Sequence, residues 1–145
     1  DIDVYNQSNE IVKGFFGTKV PPQNDDNIVK LDKIKIDNYD VLVLPGGVKS
    51  MELLRLDNMA IETVKTFNDK GKIIAAICSG IMMCISADII KNKKATGYYA
   101  WKTDIINAGG KFVDSPSVQD GNLITSPHYK YNGEWMKLVI KNLKK

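Results

Sequence analysis

Two short apolar runs, Val41-Leu42-Val43-Leu44 and Ile73-Ile74-Ala75-Ala76-Ile77, contain no polar residue and no alternation. A strand with one wet face alternates apolar and polar side chains, so these runs read as strands buried on both faces. Such strands belong to a parallel sheet packed between helices. Each run also ends abruptly in small residues, Pro45-Gly46-Gly47 and Cys78-Ser79-Gly80.

The rest of the chain alternates in the same sense, which predicts an α/β fold with a mainly parallel central sheet. Ile2 to Asn6 reads as a short strand. Ile11 to Phe16 and Thr18 to Val20 read as a hairpin broken at Gly17 and ended by Pro21-Pro22, with Asn24 to Asn27 a polar loop. A helix starts at the N-cap Asp57, carries Ile61, Val64 and Phe67 on one stripe, and stops at Gly71. After the apolar stretch Ile81 to Ile90 come a strand over Ala95 to Tyr98 and a helix over Trp101 to Ala108, ended by Gly109-Gly110. Phe112-Val113 and Val118 are short extended pieces, Asp120-Gly121 a turn, Leu123 to Ser126 a strand, and Glu134 to Leu143 an amphipathic helix. One domain over residues 1–145 is expected, with no repeat or linker. Because the chain opens in a strand that leads into a hairpin, an upstream β-α unit of roughly 30 residues is expected to be missing from it.

At 145 residues, with 43% hydrophobic and 26% charged residues, the chain is long enough for one core and too ordered in composition for disorder. The longest apolar run falls short of a membrane span, and no leader sequence opens the chain, so the cytoplasm is the expected compartment. The net charge of +3 comes from scattered lysines, including Lys141, Lys144 and Lys145 at the tail, without interleaved aromatics. It reads as a solvated surface, with no nucleic-acid or membrane partner. Cys78 and Cys84, six residues apart, make neither a disulfide framework nor a zinc site. No metal and no cofactor is expected.

The chemistry concentrates at Cys78. A buried strand that delivers a cysteine at its carboxyl end and then bends through small residues into a helix is a nucleophile elbow, with the side chain beside backbone N–H groups. A helix N-terminus there would favour the thiolate, the reactive form. The plain alternative is a buried structural cysteine. Cys84, inside the apolar helix, reads as core. Gly46 and Gly47 end the neighbouring strand, where glycines let backbone approach a ligand and aim N–H groups at a developing oxyanion; a simple tight turn is the alternative.

Tyr39-Asp40-Val41-Leu42-Val43-Leu44-Pro45-Gly46-Gly47, Leu54-Arg55-Leu56-Asp57 and Gly71-Lys72-Ile73-Ile74-Ala75-Ala76-Ile77-Cys78 resemble the ThiJ/PfpI family of the class I glutamine-amidotransferase-like superfamily. The likeness continues through Lys94-Ala95-Thr96-Gly97-Tyr98, Asn107-Ala108-Gly109-Gly110 and Asp120-Gly121-Asn122-Leu123-Ile124-Thr125-Ser126, almost the whole chain in register. It implies a flavodoxin-like three-layer sandwich whose elbow cysteine serves hydrolase, glyoxalase, deglycase or redox-sensing roles. By the same likeness, Gly47 and the Ser79 N–H form the oxyanion pocket, and Glu52 matches a carboxylate that reaches a neighbouring subunit's cysteine. It also implies a homo-oligomer, dimer or hexamer. In the peptidase-like branch a histidine follows the cysteine, where this chain has Ser79. A histidine of the deglycase branch falls on Tyr98, here a candidate pocket wall.

One histidine is present, His128, just after the strand Leu123 to Ser126. In the wider superfamily a catalytic histidine follows a late strand, and a neutral imidazole near Cys78 could take its proton. The alternative is a loop histidine. Trp101 and Trp135 read as packing residues. Three functions remain open on the sequence: a cysteine-dependent enzyme acting on small reactive carbonyls, glycated groups or amide and peptide bonds; an oxidation sensor or chaperone-like protein using an oxidisable Cys78; and a family member without chemistry.

Overall fold

The computed structural model describes residues 1–5, 11–14, 16–20 and 28–143. The expected Pro21-Pro22 stop, the loop over residues 24–27 and the last two lysines of the tail lie outside them. The chain divides into two compact units, Asp1–Lys35 and Ile36–Lys145.

In the first unit β1 (Val4–Tyr5) pairs in parallel with β4 (Ile28–Val29), and β2 (Val12–Lys13) pairs antiparallel with β3 (Lys19–Val20). The second pairing is the expected hairpin, and Gly17 takes a left-handed φ of 78° in its turn.

The second unit holds a four-stranded sheet in the order β5 (Val41–Leu44), β6 (Ile73–Ile77), β10 (Leu123–Ser126), β9 (Val118–Asp120). The first three strands run parallel, and β9 is antiparallel to β10. Helices α2 (Asn58–Asp69), α3 (Ile81–Ser86) and α5 (Asn132–Leu143) pack on it, and α1 (Val48–Leu54) packs on α3 and the turn before it. A fifth, α4 (Lys102–Asn107), lies beside the small parallel pair of β7 (Lys94–Ala95) and β8 (Lys111–Phe112). This is the mainly parallel α/β architecture that the apolar runs require.

The side chains show why. Ala75, Ile77 and Ile124 form one buried cluster with Trp135 and Val139 of α5. Trp135 sits on α5 as a packing residue, its indole N–H donating to the Ile124 carbonyl at 3.3 Å. In α2, Val64 and Phe67 of the expected stripe are buried, Ile61 is half-buried, and Ala60 and Thr63 complete the buried face. The Asp57 carboxylate accepts from the backbone of Met59 at 2.9 Å and Ala60 at 3.3 Å, an N-cap. At the other end Gly71, with φ 65°, donates to Asn68 and Lys72 donates to Phe67. That pair of bonds is a Schellman stop.

Two expectations change. Val43 is 46% exposed, because β5 is the edge strand of this sheet rather than an interior one. The strand expected over Ala95 to Tyr98 is paired only at Lys94–Ala95. Gly97 packs on Ile81, and the Tyr98 N–H leaves the ladder to donate to the Cys78 carbonyl at 3.0 Å.

Candidate functional site at the elbow

Parallel register fixes where the strand ends meet. Leu44 lies opposite Ala76, and Ile77 opposite Ser126. Pro45-Gly46-Gly47, Cys78-Ser79-Gly80 and Pro127-His128 therefore leave the sheet along one carboxyl edge, where open α/β sheets build ligand sites.

Cys78 has φ 58°, a left-handed backbone conformation that costs a non-glycine residue about 1 kcal/mol or more. The chain is held in it by close backbone packing. A Cβ on Gly46 would lie 2.7 Å from the Ile77 carbonyl oxygen and 3.1 Å from both the Cys78 Cβ and the Ser79 nitrogen. One on Gly80 would lie 2.2 Å from the Leu44 carbonyl oxygen. Only hydrogen fits at these positions, so the Pro-Gly-Gly corner lies directly against the elbow, with the Ser79 nitrogen beside it. Gly47 has φ 84° and caps α1.

The elbow passes through a 3-10 turn over Cys78–Gly80 into α3, which is only six residues long. The dipole expected to favour the thiolate is thus that of a short helix. The polar side chain in contact with the sulfur is the Ser79 hydroxyl, 3.9 Å away, and that hydroxyl accepts the Trp101 indole N–H at 3.2 Å. Trp101 belongs to a 3-10 turn (Tyr99–Trp101) before α4 rather than to the helix itself. Its polar role has no local signal in the sequence, since the partner is 22 residues away.

Cys78 is half-buried and Cys84 fully buried, and neither is in a disulfide. Burial pushes the Cys84 thiol up to about 12, with Lys93 opposing the shift. Cys84 is the core residue its helical position implies.

His128 is half-buried and caps the 3-10 turn over Tyr129–Tyr131, its Nδ1 accepting the Lys130 N–H at 3.2 Å. With Nδ1 used as an acceptor, the neutral ring carries its proton on Nε2. Its ring stacks on Tyr98 (centroids 6.5 Å apart) and lies 4.0 Å from the ring of Tyr129. Among the described residues no hydrogen bond joins it to Cys78. The histidine reaches the elbow through Tyr98, whose backbone holds the Cys78 carbonyl and whose ring is partly exposed. Glu52 is exposed on α1 and makes no hydrogen bond or ion pair among the described residues. No group of three or more His, Cys, Asp or Glu among the described residues could hold a metal ion. No helix among them is long and apolar enough to cross a membrane.

The model of the DJ-1/PfpI family matches residues 1–142. Deglycase PfpI of Pyrococcus furiosus is 39% identical over 113 residues, 78% of this chain and 68% of that protein. Deglycase TK1284 of Thermococcus kodakarensis is 36% identical over 113 residues, with the same two coverages. The crystal structure of Drosophila melanogaster DJ-1beta superposes with a TM-score of 0.78 at 26% identity, over 93% of this chain and 70% of that one.

Proposed function

Because the chain belongs to the DJ-1/PfpI family, we propose that it is a cysteine-dependent enzyme of the deglycase kind, with Cys78 as nucleophile. The observation that carries this reading is the left-handed Cys78 wedged against Gly46 at the carboxyl edge of the sheet. Strain of this sort persists where surrounding packing imposes it, and it aims the side chain out of the ladder. The relatives named deglycases support the choice of reaction among the carbonyl chemistries open to a thiolate.

In this reading Sγ attacks a carbonyl or carbonyl-derived carbon of a small reactive carbonyl or of a group glycated by one. Negative charge that gathers on the oxygen of that carbon is received by the backbone N–H groups of Gly47 and Ser79. In a glycated group the C–N bond then breaks and the amine leaves with a proton taken from water. The hydroxide so formed displaces the sulfur, freeing the hydrated carbonyl compound and restoring the thiolate. Tyr98 walls the pocket. With Nδ1 of His128 engaged as a cap, the ring serves as wall and Nε2–H donor, and the proton acceptor is sought elsewhere. Glu52, exposed on α1, fills that part for the cysteine of an adjoining copy in a homo-oligomer.

The test is release of free amine from methylglyoxal-treated N-acetyl-lysine or N-acetyl-arginine. Cys78→Ala is expected to abolish it, and Cys84→Ala to keep most of it. Turnover surviving in Cys78→Ala overturns the assignment. Selective peroxide oxidation of Cys78 in a protein without turnover would favour the oxidation-sensor reading instead.

A further inference from the structure

The attack at Cys78 makes no use of the Ser79 side chain or of Trp101, yet the two are joined to the sulfur in a row. Ser79 is 1% exposed; its Oγ is 3.2 Å from the Trp101 indole nitrogen and 3.9 Å from the Cys78 sulfur. Donor inventory fixes the direction of the first bond in this row. An indole N–H only donates, so the Ser79 oxygen accepts from it. At the 3.9 Å contact with the thiol either atom is able to donate, but a thiolate has no proton, so once Cys78 ionises only the hydroxyl donates. Among the described residues the Cys78 sulfur is the acceptor in contact.

We propose that Trp101 is a positioning residue which, through Ser79, turns a hydroxyl proton onto the Cys78 sulfur and so favours the thiolate. The proposal rests on Cys78 being the reactive nucleophile of the preceding reading. The row runs indole N–H to hydroxyl oxygen, then hydroxyl proton to sulfur, and each bond polarises the next. A negative sulfur is the better acceptor, so the row is worth more to the thiolate than to the thiol. The occupant of position 79 thereby serves the sulfur as a fixed donor with no charge of its own.

The experiment is alkylation of Cys78 by iodoacetamide between pH 5 and pH 10, followed by peptide mass spectrometry. It compares the natural protein with Trp101→Phe, Ser79→Ala and the double variant. Each single variant is expected to slow alkylation at pH 7 by about three- to tenfold and to move the rise in rate to higher pH, leaving the rate at pH 10 unchanged. The double variant is expected to be no slower than Ser79→Ala. An unmoved profile in Trp101→Phe overturns the proposal. So does a uniform slowing at every pH, or an equal further slowing in the Ser79→Ala background. Continued protection of Cys84 reports that each variant is folded. Should Trp101→Phe expose Cys84, Ser79→Ala, which removes one oxygen, decides alone by the same criterion. Alkylation needs no substrate, so a protein that shows this pattern while releasing no amine keeps the relay and loses the enzymatic reading.

Discussion

By its dihedral angles Gly80 is an ordinary helical residue, φ −57° and ψ −25°, so its need for glycine is purely one of space. A methyl there meets the Leu44 carbonyl oxygen at 2.2 Å, backbone against backbone, with no flexible side chain to yield. Gly80→Ala is expected to cost about 2–3 kcal/mol or more, read as a lower urea midpoint. Gly133→Ala, where nothing lies within 4 Å, stays within about 1 kcal/mol of the natural protein. Cys84 gives a second expectation. Its thiol is held at about 12 by burial, above the ordinary value of 9.0, so the folded state keeps a proton that the unfolded chain releases. Stability from this group is complete well below pH 9.0 and is lost as pH rises through 9.0 towards about 12. Urea midpoints measured from pH 8 to 11 are expected to fall more steeply in the natural protein than in Cys84→Ala. The elbow at Cys78 was legible in the sequence because an apolar run and the small residues after it are local features. The Ser79–Trp101 contact was not, since nothing near Trp101 names a partner 22 residues away. The same holds for the cap on His128: the identity of the ring is visible in a sequence, the hydrogen bond that selects its tautomer is not.

At the scale of elements, local rules performed best where both ends of a helix carry their own chemistry. Helix α2 is bracketed by Asp57 and Gly71 and runs between them as read. Asp57→Ala removes the acceptor for two backbone N–H groups and is expected to cost about 1 kcal/mol, measured by thermal melting. Strands β6 and β10 were equally plain: apart from the half-buried first residue of β6 they are buried throughout. Two elements misled. Strand β5 has the same unbroken apolar pattern as β6, but an edge position leaves Val43 exposed, and periodicity does not encode the order of strands in a sheet. Beyond Ala95 burial continues through Thr96 and Gly97 while the pairing does not, because the Thr96 N–H donates to the Thr125 hydroxyl and the Tyr98 N–H to the Cys78 carbonyl. A tertiary bond outbids the ladder there.

For the molecule as a whole, the three parallel strands bring residues from three distant stretches of chain to one rim. Glu52 stands apart from that convergence, exposed and unpartnered among the described residues. If it acts across copies, Cys78→Ala and Glu52→Ala proteins are each inactive, while a 1:1 dimeric mixture regains about a quarter of natural turnover, because half the dimers then hold one complete site of two. An amine-release assay on the mixture after subunit exchange checks this, and a mixture that stays inactive removes Glu52 from the mechanism. The bare-backbone contacts at Gly46 and Gly80 have a further consequence for anyone wishing to alter what this protein accepts. Neither position has room to grow, so variation in size or charge must enter through the surrounding side chains. A mutant library placed at the partly exposed Tyr98 and at His128 would explore selectivity with the scaffold intact, while one placed at the two glycines would mostly return misfolded chains.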